Sequence, residues 1–519
     1  MTQQADAVVV GAGFAGLRAA QLLSQAQLKV VVVEARDRVG GRTSSEETTF
    51  RPGYRVDVGG QWVGKRQPRL WRIIEELGFR FSMQFTGGAD LFVGDDGQVI
   101  ELADIPPKVL ELFNQCFELP LHAPFGHRNA KRWDSTTVDR WLRANLSGQD
   151  LQVAWAIVRN YMAVEPDQIS AYELLRYLNG CGGVEQMVGS EDAAEDATVE
   201  GGMQPVAERL ASLLPKDTVF LNHAVSAIHH TAEGATVRCG NGAVFTAPYV
   251  ILALAPALLR DVSFTPPLPV RRTQIHHASL TGSVIKVHLM YATPFWRHKG
   301  LSGAVWTSAG VVAGTVRSCA SHHHLAHIEQ SSLLFAYRVL LISAKQLLHS
   351  RRTQADAFTP DGSGRLVCFI LGRDAETMQT WTESERRNVV IRDLVKIFGS
   401  EASQPIGYAD HNWNDETYSK GCFGGLHSPG LATLTGDALR NPVGRIHWAG
   451  SETALLWSGY IEGAVESGER VAVEVVQAMR RTHPSRALQM GPVEAAARQH
   501  AAEMAGREQG RLAQLRAKL

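Results

Sequence analysis

The segment Ala7-Val-Val-Val-Gly11-Ala-Gly13-Phe-Ala-Gly16 joins a short run of apolar residues directly to a glycine-rich turn. Ala7 to Val10 is apolar throughout, which is typical of a strand buried on both faces of a parallel sheet. A helical pattern follows from Leu17 to about Gln25, and a second apolar run from Leu28 to Val33 leads to Glu34. This order predicts a strand, a glycine turn, a helix and a second strand that ends at an acidic residue.

The spacing of the three glycines is typical of a loop that binds a dinucleotide. Gly11 permits the tight turn, Gly13 lets the backbone approach a pyrophosphate, and Gly16 lets the helix pack closely against the strand. The pyrophosphate would then lie at the helix N-terminus, where free N–H groups and the helix dipole favour negative charge. Glu34 stands at about the spacing expected of an acid that accepts hydrogen bonds from ribose hydroxyls. The sequence therefore predicts a dinucleotide-binding unit.

The composition is that of a globular protein with several domains. The chain has 519 residues, of which 45% are hydrophobic and 20% are charged, and the acidic and basic residues balance at 52 each. This balance gives no support for binding to nucleic acid or to an anionic membrane surface. The longest apolar candidate, Ser331 to Leu348, contains Arg338 and Lys345, so we expect no membrane span. The N-terminus leads straight into the first strand, so we expect no secretory signal. The six cysteines form no CxxC pair, so neither a disulfide framework nor a zinc site is expected.

The residues after Glu34 indicate which dinucleotide binds. They read Ala35-Arg36-Asp37-Arg38-Val39-Gly40-Gly41-Arg42, and Asp57-Val-Gly59-Gly60-Gln61-Trp62 follows downstream. This sequence resembles the flavin-containing amine oxidase superfamily, whose second strand runs into an E-A-R-x-R-x-G-G-R segment. Two glycines beside Arg42 bring backbone amides and a guanidinium to the same phosphates, a geometry that suits arginine better than lysine. The resemblance implies that the dinucleotide is FAD.

The resemblance recurs near the other end of the chain, where it is similar to the monoamine oxidases in particular. Residues 445–453 predict a buried strand, a glycine turn and the acid Glu452, and residues 457–470 predict a loop that enters a helix. In the family this helix points its N-terminus at the flavin, where the dipole stabilises negative charge on the reduced cofactor. The resemblance also implies that Glu452 binds the polar linker of FAD and that Val225 contacts its adenine side.

One cysteine is a candidate for covalent attachment of the cofactor. Cys422 lies in Lys420-Gly421-Cys422-Phe423, and in the monoamine oxidases the cysteine of the corresponding segment is linked to the 8α-methyl group of the flavin. Lys420 stands where those enzymes carry glycine, and the alternative for Cys422 is a free buried thiol. The resemblance assigns FAD binding to Gly11, Gly13, Ala15, Gly16, Glu34, Ala35, Arg36, Gly41, Arg42, Gly59, Gly60, Gln61, Trp62, Val225, Trp413, Cys422, Gly450, Glu452, Tyr460 and Ile461.

Three further assignments concern catalysis, and the predicted catalytic residues are Lys286, Phe423 and Tyr460. Lys286 lies in a strand-like alternation, where a lysine ordinarily points outward, but the resemblance implies a buried lysine that holds a water against flavin N5. Phe423 and Tyr460 correspond to two aromatic side chains that stand perpendicular to the flavin face and pass the amine between them. The family's usual pair is two tyrosines, so Phe423 keeps the ring and loses the hydroxyl. We expect activity with an altered preference among amines.

The predicted fold class is α/β together with α+β. A Rossmann-like FAD-binding domain of the glutathione-reductase type is expected to be discontinuous, and a substrate-binding domain combines a mixed sheet with helices. The predicted division assigns 1–86, 201–275 and 405–482 to the FAD-binding domain, 87–200 and 276–404 to the substrate-binding domain, and 483–519 to a C-terminal tail.

The substrate region contains residues that have two interpretations. Val199 and Leu301 align loosely with positions that gate the substrate cavity in the family. The acidic stretch from Glu191 to Asp196 is predicted to be a solvated loop. Four residues spaced for one helix face are interpreted either as core or as cavity lining: Leu174, Leu175, Leu178 and Cys181.

A segment of roughly 35 residues between Cys319 and Gln354 is not required by the family pattern. Its flanks, 313–316 and 365–371, are predicted to be strands that a short loop would join. We interpret the segment as a flexible insertion or as translated intron sequence, and an insertion that disrupts the substrate-binding domain would impair folding or activity. Histidine clusters can bind metals, but no acidic or cysteine partners stand at ligand spacing here, so we expect no metal at His322, His323, His324 and His327.

The tail predicts a cellular location. A helical pattern runs from Val493 to Ala517, and the sequence Ala517-Lys518-Leu519 is a close variant of the Ser-Lys-Leu peroxisomal address. We therefore expect a peroxisomal protein with an import receptor as partner if the source is eukaryotic, and a cytoplasmic protein otherwise. A homodimer is a further candidate assembly.

The resemblance implies FAD-dependent oxidative deamination of a small primary amine by O2. The products would be an aldehyde, ammonia and hydrogen peroxide, with a hydride equivalent passing to flavin N5. Alternatives on the same scaffold are oxidases of polyamines, L-amino acids or long-chain aminopolyols. A flavin-bound interaction protein without turnover is the alternative from another class, and the presence of Lys286 with Phe423 and Tyr460 argues against it.

Overall fold

A parallel sheet forms the centre of the first half of the fold. The structure is a computed structural model that describes residues 2–48, 52–102, 104–189, 191–308, 310–312, 314–318 and 362–517. The predicted strands are present as Ala7–Val10 and Val30–Val33, which pair in parallel, and the helix Phe14–Gln25 connects them. This helix begins three residues before the predicted Leu17, because Gly13 already has the extended conformation of an N-cap.

Both faces of this sheet are covered, which explains why its strands are apolar throughout. On one face, Val9 and Val32 pack with the helices Phe14–Gln25 and Ile461–Thr482. On the other face, Val8 and neighbouring valines pack against a second sheet. The described strands of the parallel sheet run in the order Val219–Phe220, Val30–Val33, Ala7–Val10, Tyr249–Leu252 and Ile446–Trp448.

Antiparallel and mixed sheets make up the remainder of the strand structure. The second sheet runs in the order Thr2–Gln4, Val244–Ala247, Ala235–Cys239, Val225–His230 and Ser263–Thr265. A small antiparallel sheet contains Trp62–Val63, Ala197–Val199 and Phe81–Met83, and two strand pairs are Ser45–Glu47 with Arg55–Asp57 and Ser279–Thr281 with Gly425–His427. The large mixed sheet runs in the order Gly407–Asn412, Val284–Tyr291, Gly364–Leu371, Gly314–Ser318, Leu301–Thr307, Ala89–Val93 and Val99–Glu101.

The large mixed sheet confirms the strands predicted on either side of the inserted segment. Gly314–Ser318 and Gly364–Leu371 are antiparallel neighbours, with Gly314 opposite Phe369. The inserted residues 319–354 and their histidines lie outside the described residues. The division into domains stays a prediction, although Gly407–Asn412 pairs with Val284–Tyr291 in this sheet. A boundary after residue 412 would agree better with that pairing than the predicted boundary at 405.

The helices pack around the sheets, and one of them forms the C-terminal tail. The predicted tail helix is present as Gly491–Ala517, and Arg511 near its end donates to the Phe117 carbonyl at 2.8 Å. No helix in the described part of the chain has the length and apolarity needed to cross a membrane. The other α-helices are Pro68–Glu76, Pro107–Phe113, Ala130–Asp134, Val138–Asn145, Gly148–Met162, Ala171–Cys181, Val184–Val188, Gln204–Ser212, Val270–Ala278, Phe295–His298, Gly372–Met378, Glu383–Phe398 and Leu431–Thr435.

The helices Phe14–Gln25 and Ile461–Thr482 cross at very short range. A Cβ added to Gly468 would lie 2.4 Å from the Ala15 carbonyl oxygen, so only glycine fits at this crossing. The first residues of both helices, Phe14 and Ile461, line the same cavity. The crossing thus brings two helix N-termini to one site, where their dipoles favour negative charge.

Candidate active site

A cavity of about 510 Å³ lies where the parallel sheet meets the large mixed sheet. All but two of the residues predicted from the sequence to bind FAD or to act in catalysis line it; the exceptions are Gly16 and Glu452. The predicted residues that line the cavity are Gly11, Gly13, Ala15, Glu34, Ala35, Arg36, Gly41, Arg42, Gly59, Gly60, Gln61, Trp62, Val225, Lys286, Trp413, Cys422, Phe423, Gly450, Tyr460 and Ile461.

The turn after the first strand leaves room for a ligand. Gly13 has an ordinary φ of −75°, so its backbone conformation does not demand glycine. A Cβ added there would meet protein atoms only at 3.9 Å, and it would instead project into the space that the cavity provides. The missing side chain is therefore explained by a group that approaches the backbone, as the pyrophosphate of FAD would.

The acid at the end of the second strand is held in place by backbone amides. Glu34 Oε2 accepts from the Ala12 N–H at 2.7 Å, and Oε1 accepts from the Arg36 N–H at 2.9 Å. Each carboxylate oxygen has a second lone pair, so ribose hydroxyls could still donate to Glu34 from the cavity. Arg36 is fixed in turn by Glu416 at 2.8 Å and by the Ser419 hydroxyl at 2.8 Å.

The two predicted residues outside the cavity lining have structural roles. A Cβ at Gly16 would lie 1.9 Å from the Gly11 carbonyl oxygen, so Gly16 serves the close packing that its spacing predicted. Glu452, which the resemblance assigns to the polar linker of FAD, is not among the residues that line the cavity, and its contact with FAD stays a prediction. Its carboxylate accepts from Arg42 Nη1 at 2.6 Å and from the Gly425 N–H at 3.0 Å. Burial alone would raise the pKa of Glu452, but the charge of Arg42 brings that pKa below its usual value.

Lys286 is buried within its strand, as the resemblance implied, and its ammonium faces the cavity wall. Its Nζ donates to the carbonyl oxygens of Asp57 at 2.7 Å and Gly59 at 2.8 Å, and to Gln61 Oε1 at 2.5 Å. Trp62 lies beneath the ammonium, with its ring centre 5.0 Å from Nζ. Burial lowers the pKa of Lys286 to about 7, because it removes the charged form from water.

Aromatic rings form the walls on either side of the predicted pair Phe423 and Tyr460. Phe369 packs edge-on against Phe423, with ring centres 6.1 Å apart, and Tyr177 lies 6.0 Å from Tyr460. Trp62 extends the first wall, because its ring centre is 6.0 Å from that of Phe369. Burial raises the pKa of Tyr460 well above its usual value, so its hydroxyl stays neutral.

Cys422 lies in the cavity wall as a buried free thiol. Burial raises the pKa of this thiol to about 11, against the opposing charges of Arg42 and Lys286. The thiol is therefore neutral near pH 7. Trp413, which was predicted to bind FAD, donates from Nε1 to the Val58 carbonyl at 2.7 Å, and this bond holds its indole beside the cavity.

The sequence missed several cavity residues that come from distant segments. One of them carried a usable signal: Phe369 lies in a predicted strand and stands directly opposite Lys286 in the register, so strand pairing would have placed it beside the lysine. No motif indicated a lining role for the others. The missed residues on the side of the mixed sheet and helices include Asn160, Tyr161, Tyr177, Val305, Trp306 and Phe369.

Two interpretations of the substrate region need correction. Asp196, in the stretch predicted to be a solvated loop, is buried and accepts from the Lys65 and Ala193 N–H groups at 3.0 and 3.1 Å. Only the start of that stretch is exposed. The four helix-face residues belong to the core and do not line the cavity: Leu174, Leu175, Leu178 and Cys181. The two gate candidates, Val199 and Leu301, do not line the cavity either. Within the described ranges, no group of three or more His, Cys, Asp or Glu side chains is arranged to hold a metal ion.

Known proteins are similar to this chain in both sequence and architecture. The family described as flavin-containing amine oxidoreductase matches residues 14–476. Flavin-containing amine oxidase B of Sus scrofa is 35% identical over 494 residues, which is 92% of this chain and 87% of that protein. A flavin-containing amine oxidase of Danio rerio is 32% identical over 511 residues, 94% of this chain and 88% of that protein.

Solved structures of amine oxidases superpose on the same elements. A triple mutant of putrescine oxidase matches with a TM-score of 0.80 and 28% identity, covering 92% of this chain and 100% of that one. Cyclohexylamine oxidase from Brevibacterium oxydans matches with a TM-score of 0.79 and 27% identity, covering 92% and 99% of the two chains. The fold is therefore the predicted one, with a Rossmann-like FAD-binding part and a mixed-sheet substrate part. The chain belongs to the flavin-containing amine oxidoreductase family, as an FAD-dependent oxidoreductase that acts on amines.

Proposed function

We propose that the protein oxidises a small primary amine with O2 and water to an aldehyde, ammonia and hydrogen peroxide. The observation that carries this proposal is that Lys286, Cys422, Phe423 and Tyr460 line one cavity, together with the glycine turn that follows the first strand. When bound, FAD supplies the acceptor for the two electrons and the proton equivalent removed from the amine. The similarity to flavin-containing amine oxidase B and to putrescine and cyclohexylamine oxidases supports an amine substrate.

The aromatic walls would orient the amine and exclude water from it. Phe423 and Tyr460 present apolar ring faces, and the flanking rings of Phe369 and Tyr177 close the space behind them. An uncharged amine is desolvated there at lower cost than its ammonium form, so the walls select the neutral species. The phenol of Tyr460 stays protonated because burial raises its pKa, and it can therefore donate a hydrogen bond to a substrate nitrogen.

The arginines of the cavity argue against the L-amino-acid alternative. We expect an amino-acid oxidase to bind the substrate carboxylate through an arginine near the aromatic walls. Among the described residues, the arginines that line the cavity are Arg36 and Arg42. Arg36 is paired with Glu416 and Arg42 with Glu452, so neither guanidinium is free for such a carboxylate. A simple amine fits this distribution of charge better.

We further propose that FAD is attached covalently through Cys422, as in the monoamine oxidases that the segment resembles. The thiol lines the cavity beside the predicted aromatic pair, which supports the assignment. Acid precipitation of the purified protein tests it, because covalent flavin stays in the pellet whereas free flavin enters the supernatant. Yellow colour retained by the wild type and lost in Cys422→Ala is the expected result. Release of flavin from the wild type would contradict covalent attachment alone.

The catalytic proposal is tested by adding amines to the protein without oxygen. Benzylamine, a simple alkylamine and a diamine are mixed separately with the protein, and bleaching of the flavin absorbance is followed. We expect one or more monoamines to bleach the flavin, and peroxide to appear when oxygen is admitted. Bound flavin that no amine reduces would overturn the proposal and favour the interaction protein without turnover. A preference for the diamine would favour the polyamine alternative.

We propose a peroxisomal location if the source is eukaryotic, with the import receptor recognising Ala517-Lys518-Leu519, and a cytoplasmic location otherwise. The formation of peroxide supports the first location, since catalase is found there. A fluorescent fusion to the N-terminus, with and without the last three residues, tests the signal in eukaryotic cells. A homodimer is proposed as the assembly, and light scattering on the purified protein would measure its mass.

A further inference from the structure

The tail helix Gly491–Ala517 packs against two different cores of the molecule. Near its start, Val493 is buried in the core beside the parallel sheet. Farther along, Met504 and Leu515 pack against a second core, which is formed mainly by the helices of the substrate part. The tail helix therefore connects the FAD-binding part with the substrate part.

Arg507 of the tail helix binds the end of another helix. Its Nη1 donates to the carbonyl oxygen of Cys181 at 3.1 Å, and Cys181 is the last residue of the helix Ala171–Cys181. The last carbonyls of a helix have no partner within it, and the helix dipole favours a cation at this end. The adjacent Gly182 leaves the space that the guanidinium fills, because a Cβ there would lie 2.1 Å from Arg507 Nη1.

The same guanidinium lies over the indole of Trp457. The distance from Arg507 Cζ to the ring centre is 5.5 Å, which is within the range of a cation–π interaction. Burial lowers the pKa of Arg507 from its usual value, so its charge is partly withdrawn from water. The attraction between the cation and the ring is therefore stronger than at a fully exposed site.

Trp457 has a strained backbone that several contacts hold in place. Its φ is +53°, in the left-handed region that bulky side chains rarely adopt. Its N–H donates to the Gly180 carbonyl at 3.2 Å, and its indole Nε1 donates to the Arg66 carbonyl at 3.1 Å. A strained residue persists only where the surrounding contacts determine its position, and Arg507 supplies one of these contacts.

Trp457 in turn contacts the predicted catalytic residue Tyr460. The two ring centres are 5.2 Å apart and the ring planes meet at 79°, which is an edge-to-face arrangement. Tyr177, from the helix whose end Arg507 binds, lies 6.0 Å from Tyr460 as well. Tyr460 and Tyr177 line the cavity, whereas Trp457 and Arg507 stand behind them. Arg507 thus supports two neighbours of Tyr460 from outside the cavity.

We propose that Arg507 is a positioning residue for amine oxidation, and that it acts through Trp457 on the ring of Tyr460. The tail would then contribute to catalysis, a role separate from the targeting signal predicted at its end. The inference rests on the proposed function, because it assigns the contact with the amine to Tyr460. It does not depend on which amine is oxidised or on how FAD is attached.

Reduction of the bound FAD without oxygen, by the monoamine that reduces the wild type fastest, tests the proposal. Bleaching at several amine concentrations gives the limiting rate constant and the dissociation constant of the amine separately. In Arg507→Met we expect the limiting rate constant to fall about tenfold, because a misplaced ring orients the bound amine poorly. The dissociation constant should change by less than about threefold, since the apolar wall that binds the amine remains. Arg507→Lys should retain at least about a third of the wild-type rate constant, because an ammonium also binds a ring face.

Arg511 provides the matched control variant Arg511→Met. It lies one turn farther along the tail helix, is half-buried like Arg507, and donates to the Phe117 carbonyl at 2.8 Å. Its guanidinium pairs with Glu508 and not with the ring behind Tyr460. Arg511→Met therefore removes a comparable bond between the tail helix and the substrate part, and its limiting rate constant should stay within about twofold of the wild type. Equal rate constants in Arg507→Met and Arg511→Met would overturn the proposal.

A second background tests whether Arg507 acts through Tyr460. Arg507→Met should cause no further loss in Tyr460→Leu, because a positioning residue has no effect once the residue that it positions is gone. A tenfold loss in that background as well would overturn the proposal. If Tyr460→Leu does not fold, a crystal structure of Arg507→Met decides: displaced rings of Trp457 and Tyr460 support the proposal, and unchanged rings overturn it. A wild type that no amine reduces would overturn the proposed function and this inference together, whereas the other adverse outcomes overturn this inference alone.

Discussion

The guanidinium of Arg42 lies 2.6 Å from the carboxylate of Glu452, although 410 positions separate the two residues in the chain. The same Nη1 donates to the carbonyl oxygen of Phe423 at 2.7 Å. One arginine thus ties the loop after the second strand to the strand turn near the C-terminus and to the aromatic wall. Arg42 lines the cavity and Glu452 stands behind it, so the acid acts on the cofactor site by holding the arginine.

Replacing Glu452 with glutamine should weaken retention of FAD and lower the stability of the fold. Removing one partner of a buried ion pair costs about 3–5 kcal/mol, and the partial exposure of Arg42 places the expected loss near 2–3 kcal/mol. Chemical unfolding and the flavin content after dialysis, in a Cys422→Ala background, would measure both effects. Glu101→Gln, at an exposed strand end, is the matched control. Wild-type retention of FAD in Glu452→Gln would contradict the role given to this ion pair.

Replacing Gly16 with alanine should prevent the helix Phe14–Gln25 from packing at its present distance. The new Cβ would lie 1.9 Å from the Gly11 carbonyl oxygen, which is a backbone atom and cannot rotate away. We expect a loss of at least about 3 kcal/mol in the free energy of unfolding, with little or no FAD bound. Gly126→Ala is the control, because a Cβ there meets no atom within 4 Å. Similar stability for the two variants would show that the helix can shift without cost.

The sequence predicted the parts of the site that depend on neighbouring residues. The strand, turn and helix around Gly13 follow from apolar patterning and glycine spacing, which act over a few residues. The placement of Lys286 and Cys422 in one cavity came from the resemblance, since no local pattern brings such distant segments together. Asp196 was misjudged because an acidic run ordinarily faces solvent, and only the folded chain supplies the Lys65 amide that binds it.

The partners of the site residues could not be predicted from local patterns. The resemblance assigned Glu452 to the polar linker of FAD, and no local pattern predicted that Arg42, from the first part of the chain, would pair with its carboxylate. The partner of Gln61 is likewise determined by strand placement in three dimensions. Aromatic residues such as Tyr177 have core spacing in the sequence, and only the approach of Tyr460 places that ring in the wall.

Loss of the proton on His411 should lower the free energy of unfolding as the pH rises above 6.5. Its Nδ1 lies 3.0 Å from Glu46 and its Nε2 lies 3.3 Å from Glu416. Burial alone would lower the pKa of His411, but the two carboxylates raise it to about 9, from the ordinary value of 6.5. The folded state therefore holds a proton that the unfolded state loses between pH 6.5 and 9. The stabilisation is complete below pH 6.5 and disappears as the pH passes through about 9.

The measurement is the free energy of unfolding of the wild type and His411→Gln across this range. We expect the difference to shrink from roughly 2–3 kcal/mol at pH 6 to near zero above pH 9. Lys286, whose pKa is lowered to about 7, contributes the opposite slope between pH 7 and 10.5, and it cancels in the difference. The exposed His229 provides the control variant His229→Gln. A difference that does not change with pH would contradict the charged form of His411.

Because Phe423 is part of the aromatic wall, we expect two substitutions at this position to change kcat/KM differently. Phe423→Tyr keeps the ring that packs against Phe369, so kcat/KM should stay within about tenfold of the wild type, with a changed ranking of benzylamine against alkylamines. Phe423→Ala removes the ring that packs against Phe369 and admits water, and we expect a loss of at least about a hundredfold in kcat/KM. Phe398→Leu removes a ring from the core of the mixed sheet that does not line the cavity, and it serves as the control. Rates are compared per mole of bound flavin. An equal loss of kcat/KM in Phe423→Ala and Phe398→Leu would mean that the wall contributes only through folding. A loss confined to Phe423→Ala would show that the Phe423 ring acts on the substrate.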